Sequence, residues 1–134
     1  MTSRANAPFP VGEVLVTPAY ALPCTHVLHC VGPAAEYPDH EQPVALTACY
    51  TNLLDAAAAH DMRSIAFCCI STGVFGYPAE SAARVALSAV KKWLLDHAEE
   101  DHSLERIVFN VFTSNDHTIY STLGPVILSS ENEN

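Results

Sequence analysis

In one stretch of the chain, an apolar segment of strand length is followed directly by a turn that contains glycines. It reads Ile65-Ala66-Phe67-Cys68-Cys69-Ile70-Ser71-Thr72-Gly73-Val74-Phe75-Gly76-Tyr77-Pro78, and helical spacing of apolar residues begins at Ala79. A strand, a Gly-x-x-Gly turn and a helix N-terminus can together hold a phosphate, because backbone N–H groups converge there and the helix dipole favours an anion. The alternative is an ordinary strand-to-helix connection, in which the glycines serve turn geometry alone.

The size and composition predict one packed domain. The chain has 134 residues, of which 49% are hydrophobic and 16% are charged, and this balance favours a core over disorder. We expect a single domain over residues 1–128, with an irregular N-terminal arm at 1–11 and a disordered tail at 129–134.

The net charge and the cysteines restrict which binding partners and which cellular location we expect. A net charge of −9 and a pI near 5.0 argue against nucleic acid or an anionic membrane as partner. No apolar run approaches the roughly 20 residues of a membrane span, and Met1–Pro10 lacks a signal-peptide core. The five cysteines are an odd number, mostly in or beside apolar runs, which favours reduced thiols and predicts a cytoplasmic protein.

Strand and helix patterns alternate along the chain. We expect one helix from Pro43 and another from Ala79, and a last helix that Asn115 caps and that ends at Gly124-Pro125. The helical spacing predicts a buried face on each of the first two helices: Leu46, Cys49, Tyr50, Leu53, Leu54 and Ala57 on the first, and Ala82, Ala83, Ala86, Leu87, Val90, Trp93 and Leu94 on the second. The predicted strands cover residues 12–17, 25–31, 64–71 and 106–112.

This alternation predicts an α/β fold with a largely parallel sheet, whose apolar strands are buried on both faces. Ligands of such sheets bind outside the carboxyl ends of the strands. Residues Ser71–Pro78 and Phe112–Asp116 should therefore lie at one edge, close enough to share a ligand.

Several segments, taken in order, resemble a known family. They are Thr17–Cys24, Val27–Pro33, Ser64–Pro78 and Arg106–Phe112, with the likeness continuing to Tyr120. The chain resembles a macrodomain, the ADP-ribose-binding module, and within that family the zinc-containing branch that removes ADP-ribose from proteins. The resemblance implies a three-layer α/β/α fold with a mostly parallel, mixed sheet.

The resemblance also implies which residues bind the ligand. Thr72 to Phe75 would supply backbone N–H donors, Phe75 would press on the distal ribose, and Phe112 resembles the aromatic that packs on adenine or its ribose. From the residues alone, the favoured interpretation of Phe112 is a core aromatic. The implied binding loop consists of Ser71, Thr72, Gly73, Val74, Phe75, Gly76 and Tyr77.

From the resemblance, we expect the chain to lack the family's N-terminal part. That part carries an aspartate that reads adenine, an Asn-Ala-Ala-Asn motif, the first glycine-rich phosphate loop and the Cys and His ligands of zinc. The resemblance therefore implies an N-terminally truncated macrodomain with no metal ligands, no cofactor and no assigned catalytic residue. Missing strands would leave an open sheet edge, so we expect a homo-oligomer or a partner chain that supplies the missing half.

Other candidate chemistry has a plainer interpretation. Cys24-x-His26-x-x-His29-Cys30 resembles a metal motif, but side chains alternate along a strand and would not converge tetrahedrally. Cys68 and Cys69 lie in an apolar strand, where burial raises a thiol pKa and suppresses nucleophilicity. The loop that holds Glu36, Asp39, His40 and Glu41 could supply a general base, or could simply be solvated.

Three functions remain open from the sequence. The chain could hydrolyse ADP-ribosyl bonds, with a partner's residues or by an altered mechanism. It could bind ADP-ribose or a similar nucleotide diphosphate without turnover. It could also be a truncated interaction module that needs a partner chain to complete its site.

Overall fold

The computed structural model describes residues 10–34, 41–72 and 77–129. Four strands and three helices follow one another in these ranges. In chain order they are β1 (Val14–Pro18), β2 (His26–Cys30), α1 (Gln42–Ala59), β3 (Ser64–Phe67), α2 (Ala79–Asp96), β4 (Arg106–Phe109) and α3 (Ser114–Leu128). The α/β class is confirmed. Among the described helices, none is both long enough and apolar enough to span a bilayer.

The described strands form two separate pairs. β1 and β2 pair antiparallel with Val14 opposite Cys30, and β3 and β4 pair parallel with Ser64 opposite Arg106. No backbone pairing joins β2 to β3 within the described residues. The described strands thus include both antiparallel and parallel pairs, as expected for a mixed sheet, but they form two separate two-stranded ribbons.

The core lies between the strands and the helices. The buried face of α1 consists of the predicted residues, Leu46, Cys49, Tyr50, Leu53, Leu54 and Ala57. In α2 the prediction holds for Ala82 through Trp93, whereas Leu94 is 40% exposed. Position 94 follows Trp93 by one residue, a rotation of about 100°, which turns its side chain towards the edge of the buried face.

Burial of β3 is one-sided. Ile65 and Phe67 are buried in the main core, while Ala66 and Cys68 are exposed. The prediction that this strand is buried on both faces is therefore wrong for one face. An alternation of buried and exposed residues is typical of a strand with a single covered face.

The last helix differs from the prediction at both ends. Thr113, rather than Asn115, is the N-cap, and its hydroxyl accepts a hydrogen bond from the Asp116 N–H at 3.0 Å. The helix continues through Gly124 and Pro125 to Leu128. Its apolar residues Leu123 and Ile127 pack on Ala83 and Leu87 of α2, and such packing offsets the hydrogen bond that a proline inside a helix removes.

Candidate functional site

The carboxyl ends of β3 and β4 lie side by side. The backbone N–H of Asn110 donates to the Phe67 carbonyl at 2.8 Å, so the chain leaves both strands at the same edge. The segments that follow these two strands therefore start side by side, and the Cys69 thiol interacts with Asp116 and Tyr120 of α3. That Ser71–Pro78 and Phe112–Asp116 share a ligand stays a prediction.

The turn after β3 closes on itself just ahead of α2. The N–H of Tyr77 donates to the carbonyl of Ser71 at 3.0 Å, and the Thr72 hydroxyl donates to the Cys69 carbonyl at 3.1 Å. Ser71 has a positive φ of 69°, a conformation that costs about 1 kcal/mol or more for a residue other than glycine. The N-terminus of α2 at Ala79 directly follows this turn.

Ser71 is a buried polar residue at the start of this turn. It is 7% exposed, and its hydroxyl oxygen has no hydrogen-bond partner among the described residues. A buried hydroxyl without a partner costs free energy. The Ser71 hydroxyl is thus a buried polar group without a partner in the part of the chain that the structure describes.

Tyr50 of α1 forms hydrogen bonds with the backbone between β3 and the turn. Its hydroxyl donates to the Cys68 carbonyl at 3.5 Å and accepts from the Ile70 N–H at 3.4 Å. Burial raises the pKa of Tyr50 well above its usual range, so the hydroxyl stays protonated and can donate. The sequence placed Tyr50 only on the apolar face of its helix. The helical spacing of apolar residues cannot indicate that the Tyr50 hydroxyl contacts the backbone next to the turn.

The Cys69 thiol is not set up as a nucleophile. Burial, and then the charge of Asp116, raise its pKa above the usual value, which keeps the thiol protonated at neutral pH. This confirms the prediction for Cys69. For Cys68 the prediction of burial is wrong, since this residue directly follows β3 and is exposed.

Phe112 stands out from the surface next to this edge. It is 97% exposed, so the interpretation of Phe112 as a core aromatic is wrong. The aromatic of this strand that does pack in the core is Phe109, whose ring lies 5.7 Å from that of Phe67 and 5.2 Å from that of Tyr120.

The remaining predicted binding residues fall into two groups. Gly73, Val74, Phe75 and Gly76 lie outside the described residues, as do Glu36, Asp39 and His40 of the possible general-base loop. Tyr77 is described, and its side chain is 8% exposed and belongs to the main core. Its backbone, rather than its ring, is therefore what faces the turn.

The described residues do not fit zinc. No group of three His, Cys, Asp or Glu side chains in those ranges is placed to hold a metal ion. In the motif at Cys24–Cys30, the His29 ring contacts the Thr17 hydroxyl at 3.0 Å, and the His26 ring contacts the Thr25 hydroxyl at 3.0 Å. These two side chains engage separate neighbours instead of converging.

Comparison with known proteins identifies the family. The model of the Macro domain family matches residues 1–86. The chain belongs to this family. It is 44% identical over 115 residues to a protein-ADP-ribose hydrolase of Treponema medium, a match that covers 85% of this chain and 42% of the relative. It is also 44% identical over 110 residues to an ADP-ribose glycohydrolase of Rattus norvegicus, covering 81% and 42% of the two chains.

Solved macrodomain structures share the fold. A mutant macrodomain of Oceanobacillus iheyensis superposes with a TM-score of 0.82 at 32% identity, covering 95% of this chain and 62% of that one. The Trypanosoma brucei macrodomain in complex with ADP-ribose gives a TM-score of 0.76 at 38% identity, covering 85% and 46%. This macro domain chain thus spans less than half the length of the two curated relatives.

Proposed function

We propose that the chain binds ADP-ribose, or a similar nucleotide diphosphate, at the edge where β3 and β4 end. The observation that carries this proposal is the hydrogen bond from the Tyr77 N–H to the Ser71 carbonyl, which brings the two ends of the segment together just ahead of α2. A helix N-terminus directs backbone N–H groups and the positive end of the helix dipole at an anion. The complex of the Trypanosoma brucei macrodomain with ADP-ribose supports the same ligand here.

Two side chains of the described residues extend this site. The unpartnered Ser71 hydroxyl would donate to a phosphate or ribose oxygen. Phe112, fully open to solvent, would pack its ring on the adenine or its ribose, an arrangement that favours a flat aromatic partner. Each of these groups lacks a partner in the described residues, and each would gain one from the nucleotide.

We extend the proposal to hydrolysis of ADP-ribosyl bonds in proteins, because the two curated relatives are a protein-ADP-ribose hydrolase and an ADP-ribose glycohydrolase. No side chain described here is assigned as the catalytic acid or base. The second candidate is therefore a binding module without turnover of its own, which needs a partner chain to complete the site. The arrangement of the described strands in two ribbons favours this second candidate.

Titration calorimetry with ADP-ribose tests binding. We expect saturable micromolar binding, abolished by Gly73→Glu because the added carboxylate repels the diphosphate. Ser88→Glu is the matched control, since it adds the same charge at an exposed position of α2 two turns from its N-terminus. The absence of heat from the folded chain, or equal effects of both variants, would refute the proposed site.

Assay of a mono-ADP-ribosylated protein separates the two candidates. Release of ADP-ribose by the chain alone, lost in Gly73→Glu, supports hydrolysis. Binding without release supports the module that needs a partner. Cytoplasmic location remains a proposal that rests on the cysteines, all of which are free thiols.

A further inference from the structure

We propose that Asp116 and Tyr120 of α3 are positioning residues, which hold the turn at Ser71 and the ring of Phe112 at the spacing that one nucleotide diphosphate needs. The proposal rests on the proposed function, because it concerns how the two parts of that site are held together. Neither residue is assigned a contact with the ligand, since both act through the segments that they fix.

The two parts of the proposed site lie on segments that are far apart in the chain. Ser71 follows β3, whereas Phe112 follows β4 and directly precedes Thr113, the N-cap of α3. Past the hydrogen bond from the Asn110 N–H to the Phe67 carbonyl, no backbone hydrogen bond joins the two segments within the described residues. Side-chain contacts must therefore fix their spacing.

Asp116 connects the two segments, one through its backbone and the other through its side chain. Its N–H donates to the Thr113 hydroxyl at 3.0 Å, which fixes the residue directly after Phe112. Its carboxylate interacts with the thiol of Cys69, two residues ahead of Ser71. Because that thiol stays protonated, it can donate a hydrogen bond to the carboxylate. One residue of α3 thus contacts the chain beside both parts of the site.

Tyr120 adds a second contact from the same face of α3. It lies four residues after Asp116, and side chains at this spacing are neighbours on a helix. The Tyr120 hydroxyl interacts with the Cys69 thiol and with the Tyr50 hydroxyl, and burial raises the pKa of Tyr120 so that this hydroxyl stays protonated. The Tyr120 ring centroid lies 5.2 Å from that of Phe109 of β4. Helix α3 therefore holds Cys69 at two points.

Tyr50 maintains the local shape of the turn through separate contacts. Its hydroxyl contacts the Cys68 carbonyl and the Ile70 N–H, which flank Cys69 on either side. These backbone contacts come from α1 and not from α3. Loss of the contacts from α3 should therefore leave the turn itself intact and change its position relative to Phe112.

This arrangement predicts which ligands depend on α3. A nucleotide diphosphate that packs its base on Phe112 and places its diphosphate at Ser71 engages both parts of the site. Its affinity benefits from a fixed spacing, because the second contact is made within one complex. Adenosine and inorganic pyrophosphate each engage one part only. Affinity for the whole nucleotide should therefore depend on Asp116 and Tyr120, whereas affinity for either fragment should not.

Titration of the chain with ADP-ribose, adenosine and inorganic pyrophosphate tests the proposal, with NMR chemical shifts to measure the weak fragment affinities. We expect about tenfold weaker ADP-ribose binding for Asp116→Ala and for Tyr120→Phe, and unchanged binding of both fragments. Asp116→Asn retains an acceptor oxygen and should recover most of the loss. Asn115→Ala is the matched control, since this exposed residue lies in the same turn of α3 and its loss should not alter ADP-ribose binding.

The outcomes distinguish this proposal from the proposed function. If the unchanged chain does not bind ADP-ribose, both are refuted. If the unchanged chain binds ADP-ribose and Asp116→Ala and Tyr120→Phe bind it equally well, the positioning role alone is overturned. An equal loss of affinity for ADP-ribose and for both fragments also overturns it, because a general loss of structure would weaken all three.

A double-variant cycle tests whether Asp116 acts through Cys69. We expect Cys69→Ala to weaken ADP-ribose binding by as much as Asp116→Ala, and the double variant to bind no more weakly than either single variant. Additive losses overturn the proposal. Thermal melts without ligand identify any variant that fails to fold, and the size-conserving variants Asp116→Asn and Cys69→Ser then replace the alanine variants in the cycle.

Discussion

Gly32 lies so close to Ser71 that a methyl group at position 32 would overlap the Ser71 hydroxyl oxygen. This contact ties the end of β2 to the turn that follows β3. The two segments come from different ribbons and are 39 residues apart in the chain (71 − 32). The position of the proposed binding turn therefore depends on the absence of a side chain at residue 32.

Gly32→Ala should destabilise the fold. The added Cβ would meet both Ser71 and Ile70, and overpacking of this kind costs about 1–3 kcal/mol in the free energy of unfolding. Urea unfolding followed by Trp93 fluorescence measures it. Gly124→Ala is the control, because a Cβ there meets nothing within 4 Å and alanine stabilises a helix interior by about 0.5–1 kcal/mol. A loss of stability in both variants would contradict the steric argument.

Tyr50→Phe should weaken the support of the turn after β3. It removes the hydroxyl that contacts the Cys68 carbonyl and the Ile70 N–H, and we expect a loss of about 0.5–1.5 kcal/mol in the free energy of unfolding. Chemical denaturation gives this value. Tyr20→Phe is the matched control, since Tyr20 is 87% exposed. Equal stability of the two variants would show that the Tyr50 hydroxyl contributes nothing.

Asp55 should stabilise the packing of α1 on α2 through Trp93. The indole N–H donates to the Asp55 carboxylate at 2.8 Å, and Trp93 is 2% exposed. We expect Asp55→Ala to lower the free energy of unfolding by about 1–2 kcal/mol because the N–H loses its acceptor. Asp55→Asn retains an acceptor oxygen and should lose less. Circular dichroism during urea titration compares the two, and an equal loss would rule out the hydrogen bond as the cause.

Stability should fall at alkaline pH. Burial raises the pKa values of Tyr50 and Tyr120 above the ordinary 10.0, so the folded chain retains protons that the unfolded chain loses. Their contribution is fully present below about pH 9 and declines as pH rises past 10, by up to about 1.4 kcal/mol per pH unit for each tyrosine. Urea titrations from pH 8 to 11 measure the slope.

The variant Tyr50→Phe gives the control for that slope. It removes one of these two tyrosines. The slope of the free energy of unfolding against pH above pH 10 should therefore become shallower by about 1.4 kcal/mol per pH unit, the contribution of one proton. A slope identical to that of the unchanged chain would assign the alkaline loss to other groups.

Phe112→Ala should weaken ADP-ribose binding and leave the fold unchanged. The ring makes no core contribution at 97% exposure, whereas loss of a stacking aromatic costs about tenfold in affinity. Calorimetry and a thermal melt together measure both effects. The control is Tyr20→Ala, an exposed aromatic in the turn between β1 and β2. Unchanged affinity in Phe112→Ala would remove this residue from the site.

Much of the fold could be predicted from local pattern. The 3.6-residue spacing marked every buried residue of α1, and the apolar runs located all four strands, although the structure makes each of them shorter than predicted. The end of α3 could not be predicted this way. Gly124 and Pro125 signal a stop, but packing of Leu123 and Ile127 on α2 keeps the helix intact.

The sequence by itself determined the element order, the helix faces, the adjacency of the segments after β3 and β4, and the family, because these depend on spacing and on motifs along the chain. Only the tertiary structure decided that Tyr50 reaches Ile70, that Gly32 meets Ser71, that Phe112 faces solvent, and that β2 and β3 leave a cleft between them. These are contacts and exposures set by packing between distant segments. Periodicity indicates which face of an element is apolar, but it cannot indicate which other element covers that face.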